Sequence, residues 1–215
     1  MRQVVTLRIA LFFFSFAAGA CIPVSALAGA QQEEVLSASV QAVLQQEVSD
    51  QAPPKLAFAT QQEAEAWMRE MSQRLSRRIA DKNARETLLK TVHYEATLAG
   101  LDPLMVLGLI EVESGFKKYA VSNVGARGYM QVMPFWTRAI GKPEHDLFHL
   151  RTNLRYGCTI LRHYIDLENG NLYRALGRYN GSVGKPDYPN LVKAAWHKHW
   201  ANPQRTLVSL NGPAG

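Results

Sequence analysis

Residues 102–115 read Asp-Pro-Leu-Met-Val-Leu-Gly-Leu-Ile-Glu-Val-Glu-Ser-Gly, and this stretch sets the architecture. Asp102 is suited to cap a helix whose first residue is Pro103, and Gly115 is suited to end it. Between them, from Leu104 to Ser114, apolar side chains lie nearly all round the axis. A helix without a polar face belongs at the centre of a core, so other helices must pack around it.

Working outward, Ala64, Trp67, Met68, Met71, Leu75 and Ile79 recur at three and four residues, as one helical face does. Arg69, Arg74, Arg77 and Arg78 occupy the opposite face, which reads as a solvated surface and not as a nucleic-acid site. A second helix is expected over Asn83–Ala99, stopped by Gly100. Downstream, helices are expected at about 128–140, 151–168, 171–179 and 189–200, and strand-type alternation is almost absent. The reading is an all-α domain over 61–200, followed by a tail over 201–215. Residues 31–60, rich in Gln, Ala, Ser and Val and ending in Pro53-Pro54 and a short run beyond, read as a mobile spacer with at most one marginal helix. A chain of 215 residues has room for one full-sized domain, and its 47% apolar content excludes wholesale disorder.

Residues 1–30 have the three parts of a secretory signal. Arg2 and Arg8 give the positive start, an apolar run extends from Ile9 to Ala18, and Ala26-Leu27-Ala28 fits a signal peptidase. Periplasmic export is therefore expected. Cys21 after Ala18-Gly19-Ala20 weakly resembles a lipoprotein box, which makes an acyl anchor the alternative. Cleavage after Ala28 leaves a net charge of +4, too small to identify a partner. Cys158 would then be a lone thiol in an apolar helical pattern, expected to be buried and inert.

The central helix carries two glutamates, Glu111 and Glu113, and residues two apart on a helix cannot face each other. Periodicity does not choose between them as the working acid. Glu113 sits in the last turn, where the helix dipole and apolar burial both disfavour a carboxylate. A carboxyl kept protonated near neutral pH is what a general acid requires, although a core glutamate paired with an arginine would leave the same trace.

Glu113-Ser114-Gly115-Phe116 is followed by Ala120-Val121-Ser122, then by Gly125-Ala126-Arg127-Gly128-Tyr129-Met130-Gln131-Val132-Met133-Pro134, and later by Arg178-Tyr179-Asn180-Gly181-Ser182. In this order and spacing, the series resembles the SLT-type lytic transglycosylases, bacterial peptidoglycan-cleaving enzymes with a goose-lysozyme-like domain. The resemblance spans roughly Ala99 to Trp200. It implies that Glu113 is the catalytic acid/base and that Ser122 and Gln131 line the sugar cleft. It further implies that Met133 packs on substrate and that Tyr179, with Asn180 beside it, approaches and positions Glu113. Ser114 is expected to secure the helix end. Three departures from the family pattern stand out: Tyr129 in place of Leu, Lys117-Lys118 in place of Asn-Pro, and Arg178 in place of a small residue. Tyr129 is therefore a candidate subsite wall, with Trp136 a second candidate for stacking on sugar, and the lysines suit acidic peptide stems.

The reaction implied by the resemblance breaks the MurNAc–GlcNAc bond without water and leaves 1,6-anhydro-MurNAc. One acid suffices, with no cofactor and no metal. The implied partners are glycan strands and, for a dedicated enzyme, envelope machinery such as a secretion system or pilus; a monomer is expected. A hydrolysing lysozyme would need a second carboxylate, for which Asp146, Asp166 and Asp187 are candidates. A non-catalytic murein-binding protein is the other alternative. His145-Asp146-Leu147-Phe148-His149 imitates the H-E-x-x-H zinc pattern, but Pro143 just upstream and the shorter Asp argue against a zinc site.

Overall fold

The computed structural model describes residues 31–49 and 52–201, so the expected secretory signal, Cys21 and residues 202–215 lie outside the described region. Helices α1 (Ala38–Ser49), α2 (Gln61–Leu75), α3 (Lys82–Leu98), α4 (Pro103–Ser114), α5 (Phe135–Ile140), α6 (Leu150–Leu167), α7 (Leu172–Asn180) and α8 (Asp187–Ala195) follow in order, and a π-helical turn, Trp196–Trp200, continues α8. Among the described residues the only β-type pairing is at the isolated bridges Val121–Arg127 and Arg127–Val132. The fold is all-α, as expected.

Local chemistry sets most helix ends. Thr60 and Glu63 form a reciprocal capping box at α2, Asp81 caps α3, and Asp102 accepts from Leu104 N–H ahead of Pro103 at α4. Gly115 ends α4 at φ 57°, and Gly181 ends α7 at φ 75°. As its sequence demands, α4 is covered on several sides, by α3, α8 and the π-helical turn. Its residues Met105 to Ile110 are all buried.

Two stretches differ from the sequence reading. Residues 128–134 are not helical; they form a tight irregular loop, and only Phe135–Ile140 coils. Gly128 at φ 76° and Gln131 at φ 49° break the helical path, and Pro134 opens the short helix that follows. Residues 38–49 form a full helix with Leu44 and Val48 buried in the core, and Gln41 donates to the Ala139 carbonyl at 2.7 Å. That segment is therefore part of the domain. Cys158 is buried, and burial pushes its thiol well above the usual range, so it is inert.

Gly108 shows how closely the central helix is approached. A Cβ added there would lie 2.7 Å from the Trp196 backbone nitrogen, and a backbone atom has little freedom to retreat. Gly108→Ala is expected to destabilise the fold by about 1–3 kcal/mol through overpacking, although alanine is the better helix former. Urea unfolding checks this: an unchanged or raised midpoint would mean that α4 and the π-helical turn separate freely.

Candidate active site

The end of α4 opens into a cleft of about 310 Å³ lined by Glu111, Val112, Glu113, Ser114, Gly115, Lys117, Ala120, Val121, Ser122 and Gln131. Glu113, Ser122 and Gln131, singled out in the sequence, thus line the same cleft. Lys117 joins them, while the Lys118 ammonium sits over the Tyr119 ring at 5.0 Å.

The two glutamates are separated by their partners. Glu111 takes an ion pair from Arg78, a 2.8 Å contact from His199 Nδ1 and a 2.8 Å hydrogen bond from Trp200 Nε1. It ties the end of α4 to the segment after α2 and to the π-helical turn. Glu113 is only 5% exposed, and the Tyr188 hydroxyl donates a hydrogen bond to its Oε1. Its Oε2 is buried and has no hydrogen-bond partner among the described residues. Burial pushes the Glu113 carboxyl up to about 8, and the Tyr188 hydrogen bond only partly offsets it. At neutral pH the group is therefore a neutral acid with one oxygen uncommitted.

The tyrosine that touches Glu113 is Tyr188 of α8, which the sequence reading missed. Tyr179 is buried near enough for the Glu113 charge to act on it, but its hydroxyl donates to the Met130 carbonyl at 2.7 Å. No local pattern pairs Tyr188 with a residue 75 positions earlier; only the packing of α8 on α4 does.

The loop that carries Gln131 is held by side chains from three helices. Ser114 Oγ donates to the Tyr129 carbonyl at 2.8 Å, so it secures the helix end as expected. Asn153 accepts from Met130 N–H at 2.8 Å and donates to the Arg127 and Leu147 carbonyls. With the Tyr179 hydroxyl on Met130, these bonds satisfy a backbone that has no regular ladder. Gln131 is 1% exposed, and its amide donates to the Gly128 and Ala120 carbonyls at 2.9 and 3.1 Å. Ser122 Oγ accepts from Ala126 N–H at 3.0 Å.

The remaining candidates are spread more widely. Met133 is half-buried, Asn180 is buried at the end of α7, and neither lines this cleft. Tyr129, expected as a subsite wall, is also buried and off the lining, because the loop replaces the helix that would have displayed it. Trp136 packs in the core, edge-on to Tyr164 at 6.2 Å. His145 and His149 lie in the loop before α6 and on its cap, so no helix face brings them together. His145 meets the Tyr156 hydroxyl at 2.7 Å, and His149 accepts from Thr152 N–H. The solvated arginine face is partly engaged too: Arg74 pairs with Glu70 at 2.6 Å, and Arg78 pairs with Glu111.

Residues 90–190 match the family profile described as transglycosylase SLT domain, which covers α4, the loop and Tyr188. Just under half of the chain is thus similar to this family. A "Transglycosylase" of Enterobacteria phage PRD1 is 28% identical over 105 residues, covering 49% of this chain and 38% of the phage protein. A "Membrane-bound lytic murein transglycosylase C" of Actinobacillus pleuropneumoniae serotype 5b is 48% identical over 46 residues, covering 21% of this chain and 13% of that protein. A protein of the same name from Glaesserella parasuis is 35% identical, covering 40% of this chain and 28% of the relative. The matched region is thus well under half the length of each of these relatives. No helix among the described residues is long and apolar enough to cross a membrane.

The buried acid makes the stability of the protein depend on pH. The unfolded chain releases the Glu113 proton near 4.5, whereas the folded chain keeps it until about 8. Across that window the folded state binds more protons, so this group lowers stability as pH rises, and the loss is complete above 8. Glu113→Gln, which cannot ionise, is expected to be more stable than the parent at pH 9 by on the order of 5 kcal/mol, with the gap closing toward pH 4. Urea titrations at the two pH values test it; equal gaps at both would mean that Glu113 is ionised in the fold.

Proposed function

We propose that this protein is an exported peptidoglycan lytic transglycosylase with Glu113 as its sole acid/base. The observation that carries the reading is a cleft whose one uncommitted carboxyl is buried, unpaired and protonated at neutral pH. Glu111 also borders the cleft, but Arg78, His199 and Trp200 occupy its oxygens. Asp146, Asp166 and Asp187 do not line it, so a hydrolytic second carboxylate lacks a candidate among them.

In the proposed reaction Glu113 gives its proton to the glycosidic oxygen of the MurNAc–GlcNAc bond as the C1–O bond breaks, and GlcNAc leaves with a free hydroxyl. The MurNAc 2-acetamido oxygen stabilises the cationic C1. Glu113, now a carboxylate, takes the proton from the C6 hydroxyl as O6 closes on C1. The enzyme ends as it began, no water is consumed, and the product is 1,6-anhydro-MurNAc. Ser122 and Gln131 would contact sugar, with Met133, Tyr179 and Asn180 supporting the deeper wall. Tyr188 would hold Oε1 so that Oε2 bears the mobile proton. The domain over 61–200, helped by α1, would act in the periplasm behind a cleaved signal or on an acyl anchor at Cys21. Glycan strands are the proposed partner; a role with a secretion system, pilus or other envelope machine is compatible with one small domain.

Two measurements test this. Peptidoglycan digested with the protein should release muropeptides with anhydro-MurNAc ends by mass spectrometry, and Glu113→Gln should lower the rate by at least about 100-fold. Reducing ends would make the enzyme a lysozyme, and full activity in the mutant would return the role to Glu111. Tyr188→Phe removes the bond that lowers the Glu113 pKa, so the alkaline limb of the pH–rate profile should move upward from about 8 while kcat falls. A downward shift would contradict the assignment of Tyr188.

A further inference from the structure

The loop beside the acid has an open backbone edge. Val132 exchanges both its N–H and its carbonyl with Arg127 at 3.0 Å, so the neighbouring Gln131 carbonyl and Met133 N–H face the other way, as alternation along an extended segment requires. Those two groups are taken by a residue 100 positions earlier. Gln31 accepts from Met133 N–H through Oε1 at 3.2 Å and donates from Nε2 to the Gln131 carbonyl at 3.4 Å. Gln31 is 4% exposed.

A glutamine side chain ends in CH2–CO–NH2, and an acetamido sugar carries CH3–CO–NH. Both carry an amide carbonyl, so an acetamido oxygen can accept from Met133 N–H as Gln31 Oε1 does, while the lone acetamido N–H, anti to its carbonyl, points away from the Gln131 carbonyl. We propose that Gln31 is an internal stand-in for a sugar acetamido group, and that residues 31–37 compete with acetamido-bearing glycan for this edge. The inference rests on the glycan-cleaving function proposed above.

The segment is built to be displaced. Gln32 to Val35 are exposed, so opening it gives up little burial, and both Gln31 bonds are longer than the usual 2.9–3.0 Å. It is nonetheless tethered. Just downstream α1 is docked through Leu44, Val48 and Gln41, which keeps Gln31 at a high local concentration. Glu34 pairs with Arg178 at 3.2 Å, and Arg178 is the residue that departs from the family pattern beside Tyr179. That departure has a use: it anchors the competing segment, while Arg178 also pairs with Glu168.

Calorimetric titration with chitotriose, an oligomer of N-acetylglucosamine, tests the proposal in the parent protein, Gln31→Ala and Glu34→Ala. If the closed segment occupies most molecules, Gln31→Ala should bind about tenfold more tightly and Glu34→Ala about threefold, because apparent affinity scales with the open fraction. On peptidoglycan the same variants should lower KM and leave kcat unchanged. Glu34 is exposed, so its variant keeps the test valid if Gln31→Ala folds poorly. Equal or weaker binding by both variants, with the parent binding, would overturn the stand-in and leave the proposed function intact. Binding by none of the three, with no muropeptide released, would overturn both.

Discussion

A carboxyl group held without a counter-charge at the end of an apolar helix is the constraint around which this molecule is arranged. Such a group costs several kcal/mol if it ionises, and it is tolerated because it stays protonated. Arg78 is engaged elsewhere: Glu111, two residues away and pointing to another side, collects Arg78 and the His199 ring. That pairing is a structural tie and an electrostatic sink, since an arginine on Glu113 would lower its pKa and ionise the carboxyl at neutral pH. The single tyrosine on Glu113 is a neutral donor, which orients without neutralising.

The second requirement is a fixed wall opposite the acid. The loop over 127–133 has two residues at positive φ, Gly128 and Gln131, and cannot use a regular ladder to satisfy its backbone. Asn153 from α6, Ser114 from α4 and Tyr179 from α7 supply the missing partners. Each of those helices is anchored independently. Helix α6 is joined to α3 through buried Glu95, which binds Arg155 Nη2 at 3.0 Å and Arg151 Nε at 3.1 Å. A buried pair of this kind adds little net stability, but losing one member would leave an uncompensated charge between the helices that hold the loop.

These features explain what could be read from sequence. Helix α4 was legible from end to end because its signals are local: Asp102 and Pro103 start it, Gly115 stops it, and unbroken apolarity demands burial. Local chemistry also marks α2, α3 and α7. The loop over 128–134 was mistaken for helix, since its apolar residues mimic a helical face and only the backbone angles at Gly128 and Gln131 reveal otherwise. The choice between Glu111 and Glu113 was equally hidden from periodicity. It depends on Arg78, His199, Trp200 and Tyr188, which arrive through tertiary packing from both directions along the chain.

The same distinction bears on Tyr179 and Tyr188. Both are fully buried, and burial raises both phenols well above their ordinary range, with the Glu113 charge adding to each. Neither can therefore serve as a base near neutral pH, and each is confined to donating its proton in a hydrogen bond. Tyr179 spends that donor on the loop and Tyr188 spends its own on the acid. One tyrosine thus sets the position of the wall and the other sets the position of the carboxyl. The distance between wall and acid is fixed by α7 packing against α8, so the geometry of the cleft is a property of the helical core and not of the loop alone.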